Sequence, residues 1–176
     1  MADFEELEKI VRGLKQGQAD LLVDMARAMT GDIPEEIGGE SDICNRRFAD
    51  YFSNRLRLHH ATASQADKFT KKPFEFAFVD ASRAAGRSGR IIPSSTHPGP
   101  DVEVGGELFS LKTEGAAKVS PKTILISKFM EAKWIDRCET IEDFARETSL
   151  RLVEHLNRYD RILTLRSTNA PNFKVR

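Results

Sequence analysis

Apolar residues recur through the first thirty positions at Phe4, Leu7, Ile10, Val11, Leu14, Leu21, Leu22, Met25 and Met29. Their spacing of three, four or seven predicts one or two amphipathic helices, interrupted near Gly13 and Gly17. Gly31-Asp32-Ile33-Pro34 and Gly38-Gly39 read as a loop, after which Ser41 or Asp42 could cap a second helix running to about His60. Phe48, Tyr51, Phe52, Leu56 and His59 share one side of it. A third helix is expected from about Asp67 to Ala85, with Phe74, Phe78, Ala81 and Ala85 on one stripe and Gly86 just past its end. Pro73 lies near its beginning, where the missing N–H costs nothing, so the regular part starts close to that residue.

After Arg90 the period changes. Ile91-Ile92 is a short apolar run, 93–100 an irregular loop, and Asp101 to Lys112 alternates on both sides of Gly105-Gly106. Two glycines between alternating runs predict a two-residue hairpin turn, because both central positions of such a turn favour positive φ. The register follows: Val104 opposite Glu107, Glu103 opposite Leu108, Val102 opposite Phe109 and Asp101 opposite Ser110. Val102, Val104, Phe109 and Leu111 then form an apolar face, and Asp101, Glu103, Ser110, Lys112 and Glu114 form the other. A carboxylate able to hold a cation and a lysine able to hold a phosphate or orient a water come side by side, which is the chemistry of metal-assisted phosphodiester hydrolysis. The bland alternative is a solvated strand face, which carries the same residue types for no chemical reason.

A further strand is expected at 123–127, then a helix at 141–156 capped by Thr140, with Ile141, Phe144, Leu152 and Leu156 on one face, then a strand at 161–166. The run from Phe173 to Arg176 has the look of another strand beginning where the chain ends. Helices followed by strands and a helical crossover predict an α/β (α+β) protein, a mixed central sheet flanked by helices. We expect an N-terminal helical region over 1–66 and a core over 67–176, within one compact domain overall.

Composition narrows the function classes. The 176 residues are 40% hydrophobic and 31% charged, which suits a globular chain with a real core, and the net charge is zero. The charge is nevertheless uneven: residues 1–42 hold eleven acidic against four basic side chains, whereas 151–176 hold six basic (Arg151, Arg158, Arg161, Arg166, Lys174, Arg176) against two acidic. A polyanion would therefore meet one face only. Cys44 and Cys138 form no CxxC pair, which argues against a zinc site or a disulfide framework. With no membrane-length apolar run and an acidic N-terminus, a soluble, cytoplasmic protein is expected.

The order of Lys72-Pro73-Phe74-Glu75-Phe76-Ala77-Phe78 opening a helix, a loop into Pro100-Asp101, then Ser110-Leu111-Lys112-Thr113-Glu114 and Ile126-Ser127-Lys128-Phe129, resembles the PD-(D/E)xK nuclease superfamily, especially its type II restriction endonuclease branch. The resemblance covers roughly residues 70 to 166 and implies a core of helix, three antiparallel strands, helix and strand. It makes Asp101 the metal-binding aspartate and Lys112 the lysine that positions the attacking water. It departs at Ser110, where the family more often has a carboxylate, and a serine cannot replace that charge. Some enzymes of this branch place serine there and take a glutamate from the preceding helix; Glu75, set in an apolar stretch between Phe74 and Phe76, is the matching residue. The bland reading makes Glu75 a surface partner of Lys71 or Lys72. Glu103 and, behind it, Glu114 remain alternatives, while Glu107 belongs to the turn or the opposite face.

The resemblance further implies Mg²⁺ held by Asp101, Glu75 and the main-chain carbonyl of Leu111, cleavage of double-stranded DNA to 5′-phosphate and 3′-hydroxyl ends, and a homodimer reading a palindromic site. Lys118, Ser120, Lys122 and Lys128 could contact the DNA backbone, contacts that position without reading sequence. Two alternatives stand beside this: a repair or mobile-element nicking nuclease of the same superfamily, and a non-catalytic DNA-binding module whose metal site has degenerated. Whether Glu75 reaches Asp101 separates the last from the others. His59-His60 ends a helix far from other ligands, His97 lies in a loop among prolines, Trp134 reads as a packing anchor, and 86–90 lacks the ending of a phosphate loop.

Overall fold

The computed structural model describes residues 3–30, 42–62, 69–93, 99–114, 132–167 and 173–175. Three of the helices start where a side chain takes up one of their first amide groups. Helix α1 (Phe4–Arg12) follows Asp3, whose carboxylate accepts from the amides of Glu5 and Glu6 at 3.0 and 3.3 Å. Helix α2 spans Gln16–Thr30 and α3 spans Arg46–Thr62. The cap of α3 is Asn45, whose Oδ1 accepts from the Phe48 amide at 3.0 Å, and not Asp42. Asp42 turns its carboxylate to Arg161 instead, at 2.8 and 3.0 Å, and Ser41 lies outside the described residues. Helix α4 (Lys71–Ala84) begins later than Asp67, with Pro73 in its first turn, and closes on Gly86 at φ 86°. Helix α5 (Ile141–Leu156) is capped by Thr140, whose Oγ1 accepts from the Asp143 amide at 3.0 Å.

Five strands form one mixed sheet in the order β1 (Gly89–Ile91), β2 (Val102–Val104), β3 (Glu107–Glu114), β4 (Arg161–Ser167) and β5 (Phe173–Val175). The hairpin register is the predicted one, Val102 to Phe109, Glu103 to Leu108 and Val104 to Glu107. Gly105 and Gly106, at φ 62° and 88°, make the turn, a conformation side chains with a Cβ resist. β1 extends the antiparallel set as a third strand, β4 lies parallel to β3 through the α5 crossover, and β5 is antiparallel to β4. The strand expected at 123–127 lies outside the described residues.

The core fills one face of the sheet. Val102, Val104, Phe109, Leu111 and Leu165 are buried in one cluster with Phe74, Ala77, Phe78 and Ala81 of α4, and with Phe48, Phe52 and Leu56 of α3 behind them. Ring centroids 5.5 Å apart join Phe78 to Phe109, and 5.3 Å apart join Phe48 to Phe78, so aromatic contacts tie both helices to the hairpin. The helix stands as read, but Ile141, Phe144, Leu152 and Leu156 of α5 are exposed, and the buried side chain of that helix is His155. Phe144 stacks on Trp134 of the short 3-10 helix Ala132–Arg137, at 5.8 Å, rather than on the sheet. Among the described residues, no helix is long and apolar enough to cross a membrane.

Candidate active site

The start of α4 and the start of the hairpin bring two carboxylates together. Asp101 is held just before β2 by its own amide, which donates to the Phe109 carbonyl at 2.8 Å. Its Oδ2 accepts from the Leu111 amide at 2.7 Å and lies 3.5 Å from Ser110 Oγ, so the carboxylate is aimed across the hairpin at β3. Its Oδ1 lies 2.6 Å from Lys71 Nζ. The same ammonium stands 4.0 Å from Glu75 Oε1, while Lys72 Nζ takes Glu75 Oε2 at 2.9 Å. Both carboxylate side chains are nearly buried, 10% exposed for Asp101 and 9% for Glu75. A glutamate so placed between two phenylalanines is costly unless paired, and here it is paired with Lys72 and with Lys71, the latter shared with Asp101.

The alternatives for a second carboxylate are engaged elsewhere. Glu103 takes Arg90 Nε at 3.0 Å on the neighbouring strand. Glu114 takes Arg166 Nε at 2.7 Å, with Arg166 buried and Glu114 only partly exposed, across the parallel β3–β4 pair. Glu107 takes Arg161 at 3.0 Å. Ser110 is itself buried, so its face of the hairpin is not a wet strand surface at that point. Among the described residues no group of three or more His, Cys, Asp or Glu could hold a metal. Two carboxylates and main-chain oxygens still suit Mg²⁺, a hard cation that keeps several waters and takes few protein ligands. The cation that stands beside both carboxylates in this structure is Lys71.

Lys112 points into the same neighbourhood. Burial lowers its pKa and the charge of Lys71 lowers it further, against the opposing pull of Asp101 and Glu75. On that side of the sheet stand two residues the sequence does not single out. His155, at the end of α5, has its pKa lowered by burial and then by Lys112 and Arg158. Tyr159, with its ring 5.2 Å from that of His155, has its pKa raised by burial and by Asp101, and its buried hydroxyl has no partner among the described residues. Lys71 and Lys72 are also missed as site residues. Their signal was present: α1 and α5 open with acidic pairs, as the helix dipole favours, whereas α4 opens with two lysines.

Lys118, Ser120, Lys122, Lys128 and His97 lie outside the described residues. Of the basic C-terminal side chains, Arg161 is spent on Asp42 and Glu107, Arg166 on Glu114, and Arg151 on Glu147 and Glu154. His59 packs edge-on against Phe69 at 4.8 Å.

The family model described as SmaI, a type II site-specific deoxyribonuclease, matches residues 7–173. The type II restriction enzyme SmaI of Serratia marcescens is 38% identical over 133 residues, which are 76% of this chain and 51% of that enzyme. The chain thus spans about half the length of the curated relative it matches. No solved structure matches. The match runs through α3, α4, the hairpin and α5, and with it the chain belongs to the SmaI family of type II site-specific deoxyribonucleases.

Proposed function

We propose that the chain is a Mg²⁺-dependent, site-specific double-strand DNA endonuclease of the PD-(D/E)xK kind, cutting to 5′-phosphate and 3′-hydroxyl ends. The observation that carries the reading is the single ammonium, that of Lys71, shared by Asp101 at 2.6 Å and Glu75 at 4.0 Å, with Ser110 in the place of the usual acid. It supports Glu75, supplied by the helix, as the carboxylate that Ser110 lacks, and so argues against a degenerate metal site. The family match supports DNA as substrate.

In this reading Asp101, Glu75 and the Leu111 carbonyl hold Mg²⁺, which when bound stabilises charge on the phosphate and acidifies a bound water. The Leu111 amide fixes one oxygen of Asp101 and leaves the other for the metal side. Ser110 contributes a neutral hydroxyl beside Asp101 and adds no charge. Lys112, partly desolvated, is placed to hold the attacking water or the scissile phosphate; its lowered pKa eases proton exchange. Around two carboxylates stand Lys71, Lys72 and Lys112, an excess of positive charge that favours a polyanionic substrate. The lysines at 118, 122 and 128, with Ser120, follow as contacts to the DNA backbone. The unit is compact, with the helical region 1–66 backing the core 67–176, and works as a homodimer in the cytoplasm.

The test is digestion of unmethylated phage and plasmid DNA, with and without Mg²⁺, by the wild type and by Asp101→Ala, Glu75→Ala and Lys112→Ala. Discrete Mg²⁺-dependent fragments lost in all three variants are expected. Folded wild-type protein that shifts DNA in a gel without cutting it would return the non-catalytic reading.

A further inference from the structure

Lys71 occupies a position that local helix physics disfavours. A cation in the first turn of a helix opposes the positive end of its dipole. Lys71 is nevertheless there, followed by Lys72, and Thr70 provides no side-chain cap hydrogen bond. Something in the tertiary structure compensates, and the distances say what: Lys71 Nζ stands 2.6 Å from Asp101 Oδ1 and 4.0 Å from Glu75 Oε1.

We propose that Lys71 is an exchangeable cation, its ammonium holding the Asp101–Glu75 pair in the metal-free protein and being expelled when the divalent metal binds. This rests on the reading of those two carboxylates as the metal ligands. Two nearly buried carboxylates facing one ammonium would otherwise repel each other, and Lys71 stands where it offsets that repulsion. Lys72 does not serve, since its ammonium pairs with Glu75 at 2.9 Å and lies over the Phe76 ring at 5.5 Å rather than bridging the two carboxylates. Lys71 reaches both, and its side chain is 44% exposed, so the stem has solvent into which to swing. The two cations exclude one another. A divalent metal takes carboxylate oxygens at about 2.1 Å, and an ammonium on the same Asp101 oxygen would be left almost touching it with like charge. Lys71 therefore holds the two ligands together by ion pairing, and lowers the metal affinity by the cost of displacing it. It is a positioning residue and contacts neither substrate nor metal in this role.

The experiment uses the full chain without DNA. Mn²⁺ affinity is measured by electron paramagnetic resonance for wild type, Lys71→Met, Lys72→Met and Asp101→Asn. In parallel, labelling of individual lysines by an amine reagent is followed by mass spectrometry on the wild type with and without Mg²⁺. Lys71→Met is expected to bind Mn²⁺ about tenfold more tightly, one decade in Kd. Lys72→Met, which removes the same charge from the same helix end, is expected to change it clearly less. Labelling at Lys71 is expected to rise several-fold on adding Mg²⁺. Unchanged or weaker Mn²⁺ binding by Lys71→Met, equal gains in both lysine variants, or Mg²⁺-independent labelling at Lys71 overturns the exchange. If Lys71→Met does not fold, the wild-type labelling decides alone. Asp101→Asn separates the two levels: loss of Mn²⁺ binding in it with no Lys71 effect leaves the metal site standing and removes the exchange, whereas undiminished binding removes the site itself.

Discussion

In the proposed reading, Ser110 is where this chain departs from the simplest metal-dependent nuclease, and the residues around it account for how the departure is tolerated. A buried hydroxyl 3.5 Å from Asp101 costs little, but it leaves the site one negative charge short. Glu75 is the carboxylate that shares a cation with Asp101, whereas Glu103 and Glu114 are held by arginines. On this account Ser110→Ala reduces single-turnover cleavage by only a few-fold, while Lys112→Ala reduces it by roughly 10²–10⁴, the range of a positioned proton-transfer group. His155 gives a pH prediction of a different kind. Burial holds its native pKa below the ordinary 6.5, so between those two values the unfolded chain binds the extra proton. Stability therefore rises with pH through that window and falls as the pH drops below about 6.5. Urea unfolding from pH 5 to 8 is expected to show this slope in the wild type and a flatter one in His155→Gln. Asp101, Ser110 and Lys112 were legible because a hairpin fixes their register locally. The approach of Lys71, Lys72 and Tyr159 to this region was not, because it exists only once α4 and the α5–β4 connection have docked.

Elements were legible in proportion to how local their determinants are. The Gly105-Gly106 hairpin follows from turn chemistry, and its pairs Val102–Phe109, Glu103–Leu108 and Val104–Glu107 stand as read. Substituting Gly105 by Val forces a branched side chain to φ 62° and is expected to cost about 1–2 kcal/mol, read as a lower urea midpoint with unchanged slope. The cap of α3 was misplaced because Asp42 is as good a local cap as Asn45, and only the distant Arg161 decides between them. The exposed stripe of α5 shows the same limit: periodicity gives a face but not the neighbour that covers it. The β3–β4 junction supplies a test of packing. Arg166 and Glu114 are 4% and 12% exposed, and removing one partner of a buried pair strands the other charge. Arg166→Met is expected to destabilise the protein by about 3 kcal/mol, with much of the loss recovered in Arg166→Met combined with Glu114→Gln.

Over the whole molecule, the sheet divides labour between its faces. One face is the aromatic core shared by α3, α4 and the hairpin, which fixes the start of α4 against the start of β2. That is why a glutamate and an aspartate from separate elements lie under one ammonium. The uneven charge along the chain was a poorer guide, since the C-terminal arginines are largely spent on internal ion pairs. The excess of positive charge sits at α4 and Lys112 instead, from residues that look unremarkable in composition. The central claim is that Glu75 supplies the charge Ser110 lacks. It is tested most directly by the single-turnover rate of DNA cleavage at saturating Mg²⁺ for Glu75→Gln, which keeps the side chain's shape and removes its charge. The account predicts a loss of at least about a hundredfold with the fold intact; cleavage at the wild-type rate would contradict it.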